Sequence, residues 1–371
     1  MRATAPSSRQ RPLVLGIETS CDDTACAILD GGGRVLASVV SSQLEAHREW
    51  GGVVPEIASR EHLRNWPAVS DEALERAGIA LGDVDVVAAT RGPGLVGSLL
   101  VGLSIGRAIA WARGIAFHGV HHLEAHLHSP WLRGPGEEAA APPDRFVGLV
   151  VSGGHSLLVE AEEGGRRLHT VAETRDDAMG EVFDKVGKRV GLPFPGGPLL
   201  DALAERGDAA AHPLPVGSCG DSLDFSFSGL KSRALLDLDR MTKAGAEIAL
   251  RTEREGGTAD GADLPAPVLD LLAGFRAAAV RQILDRVGRL HAARPFATLA
   301  VSGGVAANRL LRRELADWAE RESVDLRLVA LRFSGDNAAM IAHAALLAHR
   351  RGESDDPRRV DASSRLALET R

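Results

Sequence analysis

The sequence lacks several features that mark common protein classes. Its 371 residues hold only three cysteines, Cys21, Cys26 and Cys219, an odd number whose spacings suit neither a disulfide framework nor a zinc ribbon. No uncharged apolar run reaches the ~18 residues of a membrane span, and residues 1–11 contain no hydrophobic signal core. These absences predict a cytoplasmic protein in a reducing compartment, with a disordered N-terminus over residues 1–11.

An excess of positive charge is missing as well. The chain has 43 Lys and Arg residues against 50 Asp and Glu residues, which gives a formal net charge of −7. A negative chain has no overall field that attracts nucleic acid, so an RNA ligand would need a local basic patch or a partner protein. Charge alone favours a protein that handles small molecules.

Two nucleotide-binding fingerprints are also absent. Neither G-x-x-x-x-G-K-[ST] nor a G-x-G-x-x-G after the first strand occurs, which argues against P-loop and dinucleotide-binding proteins. Instead, a strand, turn and strand pattern at residues 13–29 recurs at residues 147–159, and the Val-Ser-Gly-Gly of the second unit is repeated at residues 301–304. Repeated β-hairpins that grip phosphate are typical of the actin, Hsp70 and sugar-kinase superfamily.

Length and element order predict two lobes of α/β structure, because 371 residues exceed what one hydrophobic core usually organises. We expect an N-terminal actin-like lobe at residues 12–135 and a C-terminal actin-like lobe at residues 145–336, with a cleft between them. A helix at residues 337–350 would pack back at the cleft, and residues 352–371 would form a flexible tail. The charged segment 241–267 reads as a mobile insertion.

Hydrophobic periodicity predicts the individual elements. Further strands are expected at residues 84–90, 115–120 and 297–300. Helices are expected at residues 97–113, near residue 122, and at residues 177–189, 267–291, 306–321 and 337–350.

The motif His122-Leu123-Glu124-Ala125-His126 is the first candidate for chemistry. Its two histidines are four residues apart, so on a helix both imidazoles project from one face and can share a metal ion. The motif is not the H-E-x-x-H of metalloproteases, because Glu124 occupies the middle position. Asp336 is a candidate third ligand, although its place before a predicted helix by itself suits a helix cap better.

Three glycine pairs form the second candidate site: Gly153-Gly154, Gly196-Gly197 and Gly303-Gly304. Without a side chain, glycine lets backbone N–H groups come close to a phosphate or ribose. One such pair is usually just a tight turn. Three pairs, two of them within the same Ser-Gly-Gly, favour a nucleotide-binding cleft.

At these residues the chain resembles the TsaD family of tRNA N6-adenosine threonylcarbamoyltransferases, once labelled O-sialoglycoprotein endopeptidases. The similar segments follow the family order over nearly the whole chain. They are residues 16–22, 51–56, 92–95, 122–126, 151–155, 180–185, 195–198, 225–231, 302–308 and 336–337. Departures are mild: Asp23 stands where the family usually has Glu, and Ser334-Gly335 precedes Asp336 where Cys-Thr is common.

The resemblance implies the ligands of both sites. One iron or zinc ion would be bound by His122, His126 and Asp336, which leaves His118, His121 and His128 without a role in it. The substrate threonylcarbamoyl-AMP would lie across the cleft, where Asp184 would hold ribose hydroxyls through its two acceptor oxygens. The substrate-binding positions are Val151, Ser152, Gly153, Gly154, His155, Asp184, Gly197 and Asn308.

The reaction implied by the resemblance is acyl transfer. The N6 amine of adenosine 37 in tRNAs reading codons that begin with A attacks the carbamoyl carbonyl, and AMP leaves while glycine N–H groups stabilise its phosphate. The metal would act as a Lewis acid or as a template. Asp22 is the candidate for proton handling, unless it only accepts local hydrogen bonds in its turn. A small-molecule carbamoyltransferase, a metal-binding endopeptidase and a non-catalytic nucleotide-binding scaffold are the alternatives.

The resemblance also implies partners besides tRNA: a TsaB-like paralogue and a TsaE-like ATPase, with no membrane involved. The helix at residues 97–113 either contacts the paralogue through its small residues or uses them to pack inside the first lobe. These small residues are Gly97, Ser98, Gly102, Ser104 and Gly106. A group of basic residues predicts either a tRNA-binding surface or an ordinary solvated helix face. It consists of Lys185, Lys188, Arg189, Lys231 and Arg233.

Overall fold

The computed structural model describes residues 11–134, 137, 140–217, 219–243 and 264–368. The predicted disordered N-terminus therefore lies outside the described residues except for Arg11, and so does most of the predicted insertion. None of the helices in the described ranges is both long and apolar enough to cross a bilayer.

The described residues form two compact units, one within residues 1–142 and 329–368 and the other within residues 143–328. The sequence placed residues up to 336 in the second lobe, whereas the chain returns to the first unit at residue 329. Asp336 therefore belongs to the same unit as His122 and His126.

Ten strands in the described ranges form two five-stranded sheets. They are β1 Val14–Glu18, β2 Asp23–Leu29, β3 Val35–Ser42, β4 Val86–Gly92, β5 Ala116–His121, β6 Phe146–Val151, β7 Ser156–Glu162, β8 Arg167–Glu173, β9 Thr298–Ser302 and β10 Asp325–Leu328.

The two sheets have the same topology. The first has the order β3-β2-β1-β4-β5 and the second, read from the corresponding edge, β8-β7-β6-β9-β10. In each sheet the first three strands along the chain form antiparallel pairs, and the last two run parallel to the first. The repeat that the sequence predicted from its hairpins is thus confirmed.

Ten α-helices connect and cover these sheets within the described ranges. They are α1 Leu44–Arg48, α2 Pro55–Ala77, α3 Val96–Arg113, α4 His122–His128, α5 Met179–Arg189, α6 Gly197–Ala204, α7 Ser228–Lys243, α8 Ala266–Ala293, α9 Arg309–Glu322 and α10 Ala338–Arg350. Helix α10 packs against β1, and its alanine-rich surface is buried in the first unit.

The small residues of α3 pack inside the first unit. Ser98, Gly102 and Gly106 are buried. A Cβ on Gly102 would collide with the Thr19 hydroxyl, and one on Gly106 would lie 3.1 Å from the Cβ of Ala89. Internal packing, one of the two predicted uses of these residues, therefore accounts for them. Gly97 and Ser104 are exposed, although a Cβ on Gly97 would lie 2.5 Å from the Ser59 hydroxyl oxygen on α2.

The chain after α10 lies along the first unit. The sequence predicted a flexible tail from residue 352, whereas residues 353–368, here named the C-terminal strap, make specific contacts. The Asp355 N–H donates to the Phe117 carbonyl at 2.8 Å, and Asp355 Oδ2 accepts from the Gly119 N–H at 2.9 Å. Val360 is only 6% exposed and belongs to the core of this unit. The strap pairs backbone groups of β5, which is an edge strand and would otherwise leave them without strand partners.

Candidate metal centre and nucleotide-binding loops

Helix α4 and the start of α10 bring the three predicted metal ligands together. His122 and His126 are both buried and lie one helical turn apart on α4. Asp336 precedes α10, but Asn337 caps that helix, because its side chain accepts from the Met340 N–H at 3.0 Å. Asp336 is therefore not the helix cap that its position in the sequence also suggested.

The three side chains direct their donor atoms toward one another. His126 Nε2 lies 3.1 Å from Asp336 Oδ1, and His122 Nε2 lies 3.6 Å from the same oxygen. The two rings are perpendicular, with centroids 4.7 Å apart. All three ligand atoms lie within 4.8 Å of one another, so this group could bind a metal ion.

A buried carboxylate behind His122 supports this interpretation. His122 Nδ1 lies 3.1 Å from Glu18 Oε2 and 3.3 Å from Ser20 Oγ. Glu18 also accepts hydrogen bonds from the Thr90 hydroxyl at 2.7 Å and from the Ser20 N–H. When Nδ1 donates to Glu18, the lone pair of His122 is on Nε2, on the side of Asp336. Metal-binding histidines are usually oriented by a carboxylate or carbonyl in this way, and two imidazoles with one carboxylate suit zinc or ferrous iron.

Negative charge surrounds the two imidazoles. Burial alone lowers the pKa of His122, but Asp336 and Glu18 outweigh it and raise the pKa to about 9. Burial raises the pKa of Glu18, and the adjacent His122 reverses this effect, so its pKa is lowered. Burial dominates at His126 and lowers its pKa. Two ionised carboxylates leave the group with net negative charge even when His122 is protonated, which favours a bound cation at this place.

The turn between β1 and β2 contributes two more carboxylates. The Asp22 backbone carbonyl accepts from the Gln43 N–H at 2.9 Å, and its side chain is half-buried. The neighbouring Asp23 has its pKa raised to about 7, first by burial and then by the charges of Asp336 and Asp22. The proton-handling role predicted for Asp22 stays a prediction, and Asp23 joins it as a candidate.

Glu18 lies in a family motif and Asp23 directly beside it, but neither was predicted to have a role in the site. Glu18 is the acidic last residue of an otherwise apolar strand, which is a recognisable signal for a buried and functional carboxylate. Asp23 carries no comparable signal, because its raised pKa depends on folding that brings Asp336 near the turn.

The second unit presents the predicted Ser-Gly-Gly-His turn between β6 and β7. The Ser152 N–H donates to the His155 carbonyl at 2.8 Å, and the His155 N–H donates to Ser152 Oγ at 3.1 Å. Gly153 and Gly154 are exposed, and a Cβ on either would meet no atom of the described residues within 4 Å. Packing within the protein does not require glycine at these two positions, whereas close approach of a ligand to the backbone would.

The loop after β9 and the first turn of α5 pack against this turn at the same edge of the second sheet. Gly303, which follows β9, has a φ of +91°, and a Cβ there would collide with the backbone of Val151. A Cβ on Gly180, in the first turn of α5, would lie 2.7 Å from the Ser152 carbonyl oxygen. The carboxyl ends of β6 and β9 and the start of α5 are therefore packed backbone to backbone.

Asp184, Gly197 and Asn308 have internal partners in the second unit. Asp184 Oδ1 accepts from the Gly197 N–H at 3.0 Å, which ties α5 to the start of α6. Asn308 caps α9 by accepting from the Leu311 N–H at 2.9 Å. Their contacts to substrate stay predictions.

The predicted basic surface is largely neutralised by neighbouring carboxylates. Lys185 lies 2.7 Å from Asp177, and Lys231 contacts the same aspartate. Arg189 lies 2.7 Å from Asp239, and Arg233 lies 2.7 Å from Asp237. This pattern favours the solvated helix face over a surface built to bind tRNA.

The family model and the curated relatives that match this chain carry the same description. The family model described as TsaD, tRNA N6-adenosine threonylcarbamoyltransferase, matches residues 34–343. The protein of that name from Pelobacter propionicus is 49% identical over 333 residues, which cover 89% of this chain and 90% of the relative. The one from Anaeromyxobacter dehalogenans is 44% identical over 348 residues, which cover 93% and 96%. The one from Bacillus cereus is 40% identical over 342 residues, which cover 92% of both.

Solved structures support the fold. HypF from T. kodakarensis has a TM-score of 0.56 at 13% identity, over 93% of this chain and 48% of that one. Full-length HypF in the phosphate- and nucleotide-bound form has a TM-score of 0.54 at 11% identity, over 94% and 47%. Together with the two sheets of one topology, these likenesses confirm the predicted actin-like, Hsp70 and sugar-kinase fold. The family match and the curated relatives over about nine-tenths of the chain show that it belongs to the TsaD family of tRNA N6-adenosine threonylcarbamoyltransferases.

Proposed function

We propose that this chain transfers the threonylcarbamoyl group from threonylcarbamoyl-AMP to N6 of adenosine 37 in tRNAs reading codons that begin with A, and releases AMP. The observation that carries the proposal is the group of His122, His126 and Asp336, which the fold assembles inside a chain of this family. A small-molecule carbamoyltransferase and a non-catalytic scaffold are not favoured, because the curated relatives described above, at 40–49% identity, are tRNA-modifying transferases by name.

The second unit is proposed to bind the adenylate. The exposed Gly153-Gly154 backbone would donate N–H groups to the phosphate, which becomes the leaving group, and so stabilise the charge that develops on it. Val151, Ser152 and His155 shape the same turn. Asp184 would accept from ribose hydroxyls while it holds Gly197, and Asn308 would line the site from the start of α9.

The first unit is proposed to bind one divalent ion, Fe²⁺ in the first place and Zn²⁺ as the alternative, through His122, His126 and Asp336. Such an ion supplies a Lewis acid for the carbonyl or a template for substrate oxygens. Glu18 would hold His122 in the tautomer that offers Nε2. Asp22 or Asp23 would accept the proton that the adenosine amine loses, and a pKa of about 7 suits Asp23 to this task near neutral pH.

The exposed face of the α2 and α3 pair is the proposed contact with a TsaB-like paralogue. Leu63 on α2 is 61% exposed, and Val96 and Leu100 on α3 are 46% and 47% exposed. Ser98, Gly102 and Gly106 are buried inside the unit, so these larger apolar residues replace them as the expected contact. Leu100→Asp should weaken binding of the paralogue measured by calorimetry, while Leu331→Asp, at another exposed apolar side chain of the first unit, should not. A TsaE-like ATPase is proposed as the further partner.

Nucleoside mass spectrometry of tRNA tests the function. Cells depleted of the protein should lose threonylcarbamoyladenosine, and expression of the parent chain should restore it. The His126→Ala chain should not restore it at equal protein level. Unchanged threonylcarbamoyladenosine after depletion, in a genome without a second copy, would refute the proposed function.

A further inference from the structure

His121 is the last residue of β5 and lies directly before α4 and the first proposed ligand. Its Nδ1 accepts a hydrogen bond from the Leu123 N–H at 3.1 Å, so it caps α4. Its Nε2 lies 3.1 Å from the Leu366 carbonyl oxygen in the C-terminal strap. A carbonyl oxygen only accepts hydrogen bonds, so Nε2 carries the proton and Nδ1 keeps the lone pair. The strap and the helix cap therefore require the same neutral tautomer of His121.

The strap also contacts the end of β4 and the loop that follows it. The Ser363 N–H donates to the Arg91 carbonyl at 2.8 Å, and the Gly94 N–H lies 3.4 Å from the Ser364 carbonyl oxygen. The next residue of this loop, Leu95, donates its N–H to the Ser20 carbonyl at 2.8 Å. The Ser20 hydroxyl in turn lies 3.3 Å from His122 Nδ1. The end of the strap therefore connects to the surroundings of His122 by two routes.

Helix α4 depends on such contacts for its orientation. It has only seven residues, His122–His128, and helices of fewer than ~12 residues are marginal on their own. The first-turn N–H groups of a helix have no partner inside it, and a capping side chain fixes where the helix begins. Both histidine ligands lie on this short helix.

We propose that His121 and the C-terminal strap position the metal centre, with the strap acting through His121 to fix the first turn of α4 and the direction of the His122 and His126 Nε2 atoms. The inference rests on the proposed metal site. His121 is not among the three grouped ligands, and its ring nitrogens face Leu123 and Leu366, so it is a positioning residue. The strap is then a functional part of the first unit rather than a tail.

Two substitutions break the contacts of the strap while they leave the helix cap at the start of α4 in place. In His121→Asn, the side-chain oxygen can still accept from the Leu123 N–H, because asparagine is a good helix cap, but the side chain is too short to reach Leu366. Ser363→Pro removes the N–H that holds the strap to Arg91. Asp361→Pro is the matched control, since it adds a proline to the same strap at an exposed residue whose N–H donates no hydrogen bond within the described ranges.

Zinc titration of the metal-free, full-length protein by calorimetry measures the effect. We expect His121→Asn and Ser363→Pro each to weaken zinc affinity ~10-fold, the lower end of the range for groups that orient metal ligands. Asp361→Pro should bind like the parent. The double variant should be no weaker than the weaker single variant, because the proposal has the strap act through His121, the first of the two routes. Circular dichroism and thermal unfolding would verify that each variant is folded.

Three outcomes would overturn the inference. Zinc affinity equal to that of the parent in His121→Asn would do so even if Ser363→Pro failed to fold. Additive losses in the double variant would show that the strap and His121 act separately. If the parent itself bound no zinc or ferrous iron, the proposed metal site would fail and this inference with it, a result distinguishable from equal affinities in parent and variants.

Discussion

Glu18 Oε2 and His122 Nδ1 lie 3.1 Å apart, and both side chains are buried. This pair joins the end of the first strand to the first residue of α4, 104 positions later in the chain. A carboxylate that accepts from one imidazole nitrogen makes the other nitrogen a stronger electron donor and fixes the ring plane. The pair thus prepares His122 to bind a cation on the side of Asp336.

Replacing Glu18 by glutamine tests whether its charge strengthens cation binding by His122. The amide oxygen can still accept from His122, but the negative charge that stabilises the donated proton is lost. We expect Glu18→Gln to weaken zinc affinity ~10-fold without loss of fold. Glu45→Gln, at an exposed glutamate of α1, is the control. Unchanged affinity in Glu18→Gln would limit Glu18 to a structural role.

Removing each proposed ligand tests the metal centre itself. Alanine at His122, His126 or Asp336 should lower metal content in elemental analysis and abolish transfer, because each removes one of three donor groups. Alanine at His118 or His128, which are buried histidines outside this group, should leave metal content intact. Full metal occupancy and activity in Asp336→Ala would contradict the assignment of the aspartate.

The proton acceptor can be identified from pH profiles. Burial and the charges of Asp336 and Asp22 raise the pKa of Asp23 to about 7, and burial still raises it when a cation offsets the charge of Asp336. As a base Asp23 would be ionised and active above its pKa, so kcat would fall as pH drops below 7 toward the ordinary carboxyl range. Asp23→Asn should lower kcat ~100-fold, within the usual range for a lost general base, and should abolish this acid limb. Asp22→Asn should retain the limb. The reverse pattern would return the role to Asp22.

The sequence predicted elements well where apolar periodicity was strong. The β1–β2 and β6–β7 hairpins and helices α3, α5, α8, α9 and α10 all occur near their predicted bounds. Helix α2 was not predicted, since its exposed surface is highly charged and Pro67 lies inside it. The short edge strand β10 was also missed, because half-exposed strands of four residues carry little pattern.

The metal group was predictable because His122 and His126 have helical spacing and Asp336 matched a family motif. The residues that surround and orient this group could not be predicted. Glu18 depends on the position of α4 relative to β1, which no local pattern encodes. The strap resembled a disordered tail because it is rich in charge, whereas its order comes from backbone groups of β5 and from the burial of Val360. Both Glu18 and the strap are placed by contacts with residues far away in the sequence.

His343 lies on α10 and is buried, and neither ring nitrogen has a hydrogen-bond partner among the described residues. Burial lowers its pKa to about 4, and the positive charges of Arg350 and Arg133 add to this effect. The folded protein therefore keeps this imidazole neutral under conditions in which the unfolded chain protonates it. Such a group makes stability depend on pH.

The number of protons bound by the His343 ring in the folded and unfolded states decides whether stability rises or falls with pH. Above pH 6.5 the ring is neutral in both states, so stability is unaffected there; between 6.5 and about 4 only the unfolded state binds the proton, and the free energy of unfolding falls as pH falls. At ~1.4 kcal/mol per pKa unit, this interval corresponds to about 3 kcal/mol in total.

From pH 7 to pH 5, His343→Leu should therefore lose about 2 kcal/mol less than the parent in urea titrations. His169→Leu, at an exposed histidine of β8, should behave like the parent. Equal losses in His343→Leu and the parent would show that His343 is protonated in the folded state or bonded to a group that keeps its pKa ordinary.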